Sequence, residues 1–193
     1  MYTPTSSFRD YLQNAQQSSA SRLVVIDADI ADRNFLAAGV LSGSEVLFLE
    51  PDSDAIEQIS TALQAAQQPP ASLHIVAHGS PGAIHFTNGE LTLSNLDAYA
   101  SVLKGWFPNA AGTGSPEILI YGCRVAAGDA GQEFLQSIHS LTQAGIAAAT
   151  HLVGSSLKRG AWQLNIRLGL KEPQLAFHPV IMASYGEIFP QRF

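Results

Sequence analysis

The chain has 193 residues, 46% of them apolar and 13% charged, with a formal net charge of −6. That is enough apolar chain for one domain with a sizeable core, and it excludes a disordered protein. The few Lys and Arg are scattered and form no basic stripe for nucleic acid, and no segment approaches the ~20 apolar residues of a membrane span.

Residues 1–21 are polar and rich in Ser and Gln, and read as an arm with a short helix around Phe8 to Gln16. They carry no basic or apolar region of a secretory signal, and the single cysteine, Cys123, leaves no internal disulfide. Both features predict a cytoplasmic protein, with export by another route left open. The domain is expected over residues 22–169, and residues 170–193 read as a tail lying on it.

Leu23 to Ile26 is a short β-branched run, read as a buried strand followed by a turn at Asp27-Ala28-Asp29. Residues 31–41 read as a helix with Phe35, Leu36 and Val40 on one side, ended by Gly43. Glu45 to Leu49 is the second strand. Asp52 and Ser53 are candidate caps for a helix that spaces Ile56, Ile59, Leu63 and Ala66 on one face and stops before Pro69-Pro70. Leu73 to Ala77 is the third strand. Between Gly79 and Leu93 the period changes, and Asn88-Gly89 between two short alternating runs signals a hairpin.

Ser94, with Asp97 three residues on, approximates a capping box for a helix carrying Leu96, Tyr99 and Leu103. After the loop at Gly112 to Pro116, Glu117 to Tyr121 is the fourth strand. Asp129 with Gln132 is a second capping-box candidate, opening a helix with Phe134, Leu135, Ile138 and Leu141 inward. Ile146 to Thr150 reads as a fifth strand and Ala161 to Ile166 as a last one. Strands alternating with helices predict an α/β, three-layer sandwich: a mostly parallel sheet, helices on both faces and a β-hairpin insertion. Right-handed crossovers favour a doubly wound order of the 2-1-3-4 type, in which the third and fourth strands are neighbours.

That order gives the chemistry. His78-Gly79 follows the third strand and Gly122-Cys123 follows the fourth, so a histidine and the only cysteine are expected side by side at the carboxyl rim of the sheet. A cysteine nucleophile needs such a base: the imidazole takes the thiol proton and later gives it to a leaving amine. The backbone N–H groups of Gly79 and Cys123 are candidate oxyanion donors. Asp27, ending the first strand, either lines a pocket for a basic side chain or caps a turn. Arg124 either turns into the cleft toward an acidic side chain or runs on into the following loop. His151 is placed on the same rim, His85 on the hairpin, and His74 deeper in the strand in a structural role. The six histidines have no metal-ligand spacing and one cysteine is too few for a structural zinc site, so neither metal nor cofactor is expected.

The segments Ile75 to Gly82 and Ile118 to Gly128 resemble an uncharacterised bacterial domain family often found near the N-terminus of very large surface or repeat proteins. That family is similar to the caspase–gingipain clan of cysteine peptidases. The resemblance runs from about Leu23 to Leu164 and includes Gly131 with Phe134, Ala147 to Ala149, Gly154, and Gly160 with Trp162 and Leu164. His78 and Cys123 are 45 residues apart, close to the roughly 50 of caspases. The resemblance implies a caspase-like (flavodoxin-like) fold and peptidase chemistry on a polypeptide substrate, possible in cis, with Cys123 as nucleophile, His78 as base, and Arg124, His151 and Trp162 among residues near substrate. Lys158 to Asn165 departs from the acidic residues and Gly-Gly pair usual in the family's last strand. Two alternatives stand beside the peptidase: a catalytically silent binding module on the same fold, and a non-peptidase cysteine hydrolase or acyl transferase.

Overall fold

The computed structural model describes residues 8–9, 22–66, 69–108 and 115–189. The expected arm helix and the Gly112–Gly114 loop lie outside the described residues, except that half-buried Phe8 packs on the core and its N–H donates to Glu50 Oε1 at 3.1 Å. In chain order the elements are β1 (Arg22–Ile26), α1 (Arg33–Ala38), β2 (Ser44–Phe48), α2 (Ala55–Ala65), β3 (Ser72–Val76), β4 (His78–Ser80), β5 (Ala83–Phe86), β6 (Gly89–Thr92), α3 (Leu96–Lys104), β7 (Glu117–Tyr121), α4 (Gly128–Thr142), β8 (Gly145–Ala148), a 3-10 turn (Ser156–Lys158), β9 (Ile166–Leu168) and α5 (Pro179–Ser184).

The main sheet has the order β2-β1-β3-β7-β8-β9, parallel except for the antiparallel edge strand β9. Its strands are apolar on both sides because both faces are covered. Leu23, Val25, Leu73, Ile75, Ile118 and Ile120 share one face with α2, α3 and α4. Val24, Ile26, Val76, Leu119 and Tyr121 share the other with α1 and with Phe177, Tyr185 and Phe189 of the C-terminal segment. This is the α/β three-layer architecture the alternation of elements predicts. No helix among the described residues is long and apolar enough to cross a membrane.

The differences from the sequence reading are local and have physical causes. The α2 cap is Asp54, whose carboxylate accepts from Glu57 N–H, and neither Asp52 nor Ser53 caps it. Asn95, not Ser94, precedes α3, because its Oδ1 takes the Thr92 N–H and its Nδ2–H donates to Glu90 O, closing the hairpin exit. α4 begins at Gly128, placing Asp129 inside the first turn, where it meets the helix dipole favourably without capping. Phe35 is 38% exposed; Leu36 and Ala37 are the inward pair of α1. The hairpin turns over Thr87-Asn88, with Gly89 already paired to Phe86. The last strand lies at Ile166–Leu168, and Ala161 to Asn165 joins no strand ladder; Trp162 turns instead to the C-terminal segment, its Nε1–H donating to Met182 O at 2.9 Å.

Candidate functional site

β3 and β7 are neighbours in parallel register, with Val76 opposite Tyr121. His78 and Cys123 each stand two residues beyond that pair, in equivalent positions past the carboxyl ends of adjacent strands. The chains touch there. A Cβ built on Gly79 would lie 2.9 Å from both Cys123 O and Gly122 C, and one on Gly122 would lie 3.3 Å from Gly79 Cα and 3.4 Å from His78 O. At Gly79 only a glycine permits this approach of two backbones, and at Gly122 a side chain would press on Val125. After Cys123 the chain turns sharply. Arg124 takes φ 60°, a left-handed conformation that costs a non-glycine residue of order 1 kcal/mol, and its N–H is held by His151 O at 2.9 Å.

His78 is 8% exposed and Cys123 1% exposed. The Cys123 thiol is enclosed by backbone: Val153 N–H donates to Sγ at 3.3 Å, and the thiol faces Val153 O at 3.8 Å. Burial pushes the thiol pKa up; hydrogen bonding to the Val153 and Phe189 backbones and the charge of Arg124 pull the other way without cancelling it. Burial therefore disfavours the Cys123 thiolate in this state.

The C-terminal segment forms part of its enclosure, with the Phe189 backbone beside the thiol. Phe189 is fully buried with Cys123 in one apolar cluster, between Trp162 and Tyr185 at ring separations of 5.7 and 5.6 Å. The segment is pinned by Phe189 N–H to Val153 O at 3.1 Å, Ser155 N–H to Glu187 O at 2.8 Å, Tyr185 Oη–H to Ala31 O at 2.9 Å, and a Lys158–Glu187 ion pair. Gly154, at φ 118°, lies so near the strap that a Cβ there would sit 2.4 Å from Glu187 O. Sequence reasoning did not find Val153 or Phe189. The tail has no periodicity, and its one signal was a cluster of aromatics in an otherwise irregular stretch.

The remaining candidates are dispersed around this centre. Asp27 is 2% exposed, and its carboxylate accepts from Asp29 N–H (3.2 Å), Thr87 N–H (3.0 Å) and Thr87 Oγ1 (2.8 Å). Of the two roles expected for it, the geometry carries turn capping: it ties the hairpin to the end of β1. Arg124 is exposed, and His151 is half-buried on the rim beside it. Trp162 packs edge-on to Tyr121, Tyr185 and Phe189, in the layer that supports the strap. His74 is fully buried, bridging Ser72 Oγ at 2.9 Å and Tyr121 Oη at 3.1 Å. Burial, with the Arg22 charge adding to it, pushes its pKa down to about 3, so the ring is neutral and structural.

Among solved structures the chain is similar to caspase-1 from Spodoptera frugiperda, with 14% identity and a TM-score of 0.35 over 56% of this chain and 50% of that one. It is also similar to a secreted C11 cysteine protease from Bacteroides thetaiotaomicron, solved with an irreversible peptide inhibitor, with 15% identity and a TM-score of 0.39 over 68% of this chain and 49% of that one. The chain thus spans about half the length of each. No curated protein matches it. A family model described as "Domain of unknown function (DUF4347)" matches residues 23–189, and the protein belongs to that family.

Proposed function

We propose that this chain is a caspase-like cysteine peptidase domain held in a latent state, with Cys123 as nucleophile and His78 as base. The observation that carries the reading is the glycine-mediated contact between the His78-Gly79 and Gly122-Cys123 segments at the carboxyl ends of adjacent parallel strands. In the reaction Sγ attacks a peptide carbonyl carbon while His78 takes the thiol proton. His78 returns that proton to the leaving amine, and water then hydrolyses the thioester. The Gly79 and Cys123 N–H groups serve the oxyanion. A thiol enclosed by Val153 and Phe189 and raised in pKa by burial does not attack; residues 185–189 have to leave first. The substrate is a polypeptide, in cis or on a neighbouring chain.

The buried thiol equally favours a silent docking module, and one experiment separates the two. An electrophilic peptide probe is applied to the full chain, to Phe189→Ala, and to Phe189→Ala combined with His78→Gln. The peptidase reading expects a Cys123 adduct that forms faster in Phe189→Ala and requires His78. A Cys123 adduct formed at the same rate without His78, or none in Phe189→Ala, leaves the silent module.

A further inference from the structure

Three chemistry-bearing side chains of the small β4-β5-β6 sheet fall in line on one face. Ser80 Oγ lies 2.7 Å from His85 Nε2, and His85 Nδ1 lies 3.0 Å from Glu90 Oε2. The ladder builds this line: His85 and Glu90 are directly opposite across β5 and β6, and Ser80, opposite Ala83, is diagonal to His85 across β4 and β5. The pairings set the proton positions. A carboxylate only accepts, so the tautomer that satisfies both contacts has the proton on His85 Nδ1 toward Glu90 and Nε2 accepting from the Ser80 hydroxyl. A nucleophile, a base hydrogen-bonded to it, and a carboxylate fixing the base's tautomer are the three parts of an acyl-transfer relay. The His85 side chain is 17% exposed, that of Glu90 50%, and Ser80 is half-buried, so the line reaches solvent.

We propose that Ser80, His85 and Glu90 form a serine nucleophile site, independent of the Cys123 reading, that takes carboxylic esters. Ser80 Oγ bonds to the acyl carbon as its proton passes to His85 Nε2. The carbon–oxygen bond to the leaving alcohol breaks and that alcohol takes the proton. Water then hydrolyses the Ser80 acyl ester by the same route, with His85 returning the proton to Oγ. A half-exposed relay supplies little of the buried environment a peptide bond requires, and this selects esters over amides.

The test uses the full chain and a fluorophosphonate probe, which forms an Oγ–phosphorus bond and releases fluoride with the proton His85 accepts. The adduct is mapped by peptide mass, which distinguishes Ser80 from Cys123. The expected result is a Ser80 adduct that is absent in Ser80→Ala, slowed about 100-fold or more in His85→Gln, and slowed by at least about tenfold in Glu90→Gln. Glu90 is half-exposed, so Glu90→Gln keeps the fold, as circular dichroism will verify, and its rate alone decides the matter if His85→Gln does not fold. An adduct only at another residue, no adduct, or a Ser80 adduct formed at the wild-type rate in Glu90→Gln overturns the proposal.

Discussion

Phe189→Ala is the perturbation that most directly probes the strap over Cys123. Phe189 has no exposed surface and packs against Trp162, Tyr185 and the Cys123 cluster. Removing a buried phenyl ring costs about 3–5 kcal/mol. Where that cost falls depends on how residues 185–189 come away. If they detach locally, through loss of the Val153–Phe189 and Ser155–Glu187 backbone bonds, the whole cost lowers the free energy of opening. Three kcal/mol then multiplies the open fraction by about 100 at roughly 1.4 kcal/mol per tenfold. If the segment opens only with the rest of the domain, the same cost appears as a loss of about 6–12 °C in Tm, at 2–4 °C per kcal/mol for a domain of this size. The assay is iodoacetamide labelling of Cys123, read by intact mass, beside a thermal melt. The strap account expects labelling to accelerate about 100-fold with a much smaller drop in Tm. Labelling that accelerates only in proportion to global unfolding, or not at all, refutes it.

Other predictions follow from single sites. Gly79→Ala places a methyl 2.6 Å from Val125 Cγ2 and 2.9 Å from immovable backbone, whereas Gly122→Ala meets Val125 Cγ2 at 2.8 Å and backbone only beyond 3.2 Å. Both should destabilise by about 1–3 kcal/mol, and in urea melts a double-mutant cycle with Val125→Ala should relieve Gly122→Ala but not Gly79→Ala. His74 has its pKa lowered in the fold from 6.5 to about 3, so below pH 6.5 the unfolded chain binds a proton the folded one refuses. Stability present above that pH is lost as pH falls toward 3, by about 2 kcal/mol at pH 5 relative to pH 7.5, and urea midpoints across that range should show a slope that His74→Gln diminishes. Asp27→Asn turns one of the oxygens facing Thr87 and Asp29 into a donor; a loss of about 1–2 kcal/mol in chemical denaturation is expected, and no change would remove the capping role.

Much of the fold was legible because the sheet is buried on both faces. Leu23 to Ile26 and Ile118 to Tyr121 are unbroken apolar runs, Leu73 to Ala77 is interrupted only by His74, and the right-handed crossover rule left few orders in which to place them. The same logic put the His78 and Cys123 segments together at one rim. Elements decided by pairing partners rather than by pattern were not legible. β4 is three residues, and it pairs because the Pro81-Gly82 turn folds β5 back onto it. Trp162 left the predicted last strand because the rings of the C-terminal segment offer it more apolar contact than a ladder position would. The cover on Cys123 was hidden for the same reason, since Tyr185 and Phe189 carry no periodic signal and meet their partners only in three dimensions.

The central claim is that Cys123 becomes a His78-activated thiolate once residues 185–189 are released. The pH dependence of iodoacetamide labelling in Phe189→Ala, with and without His78→Gln, measures this. The account predicts that in Phe189→Ala the labelling rate holds well below the ordinary thiol pKa of about 8.5, and that His78→Gln moves the midpoint back to that value or above. A midpoint at or above the ordinary value in Phe189→Ala, unmoved by His78→Gln, contradicts it.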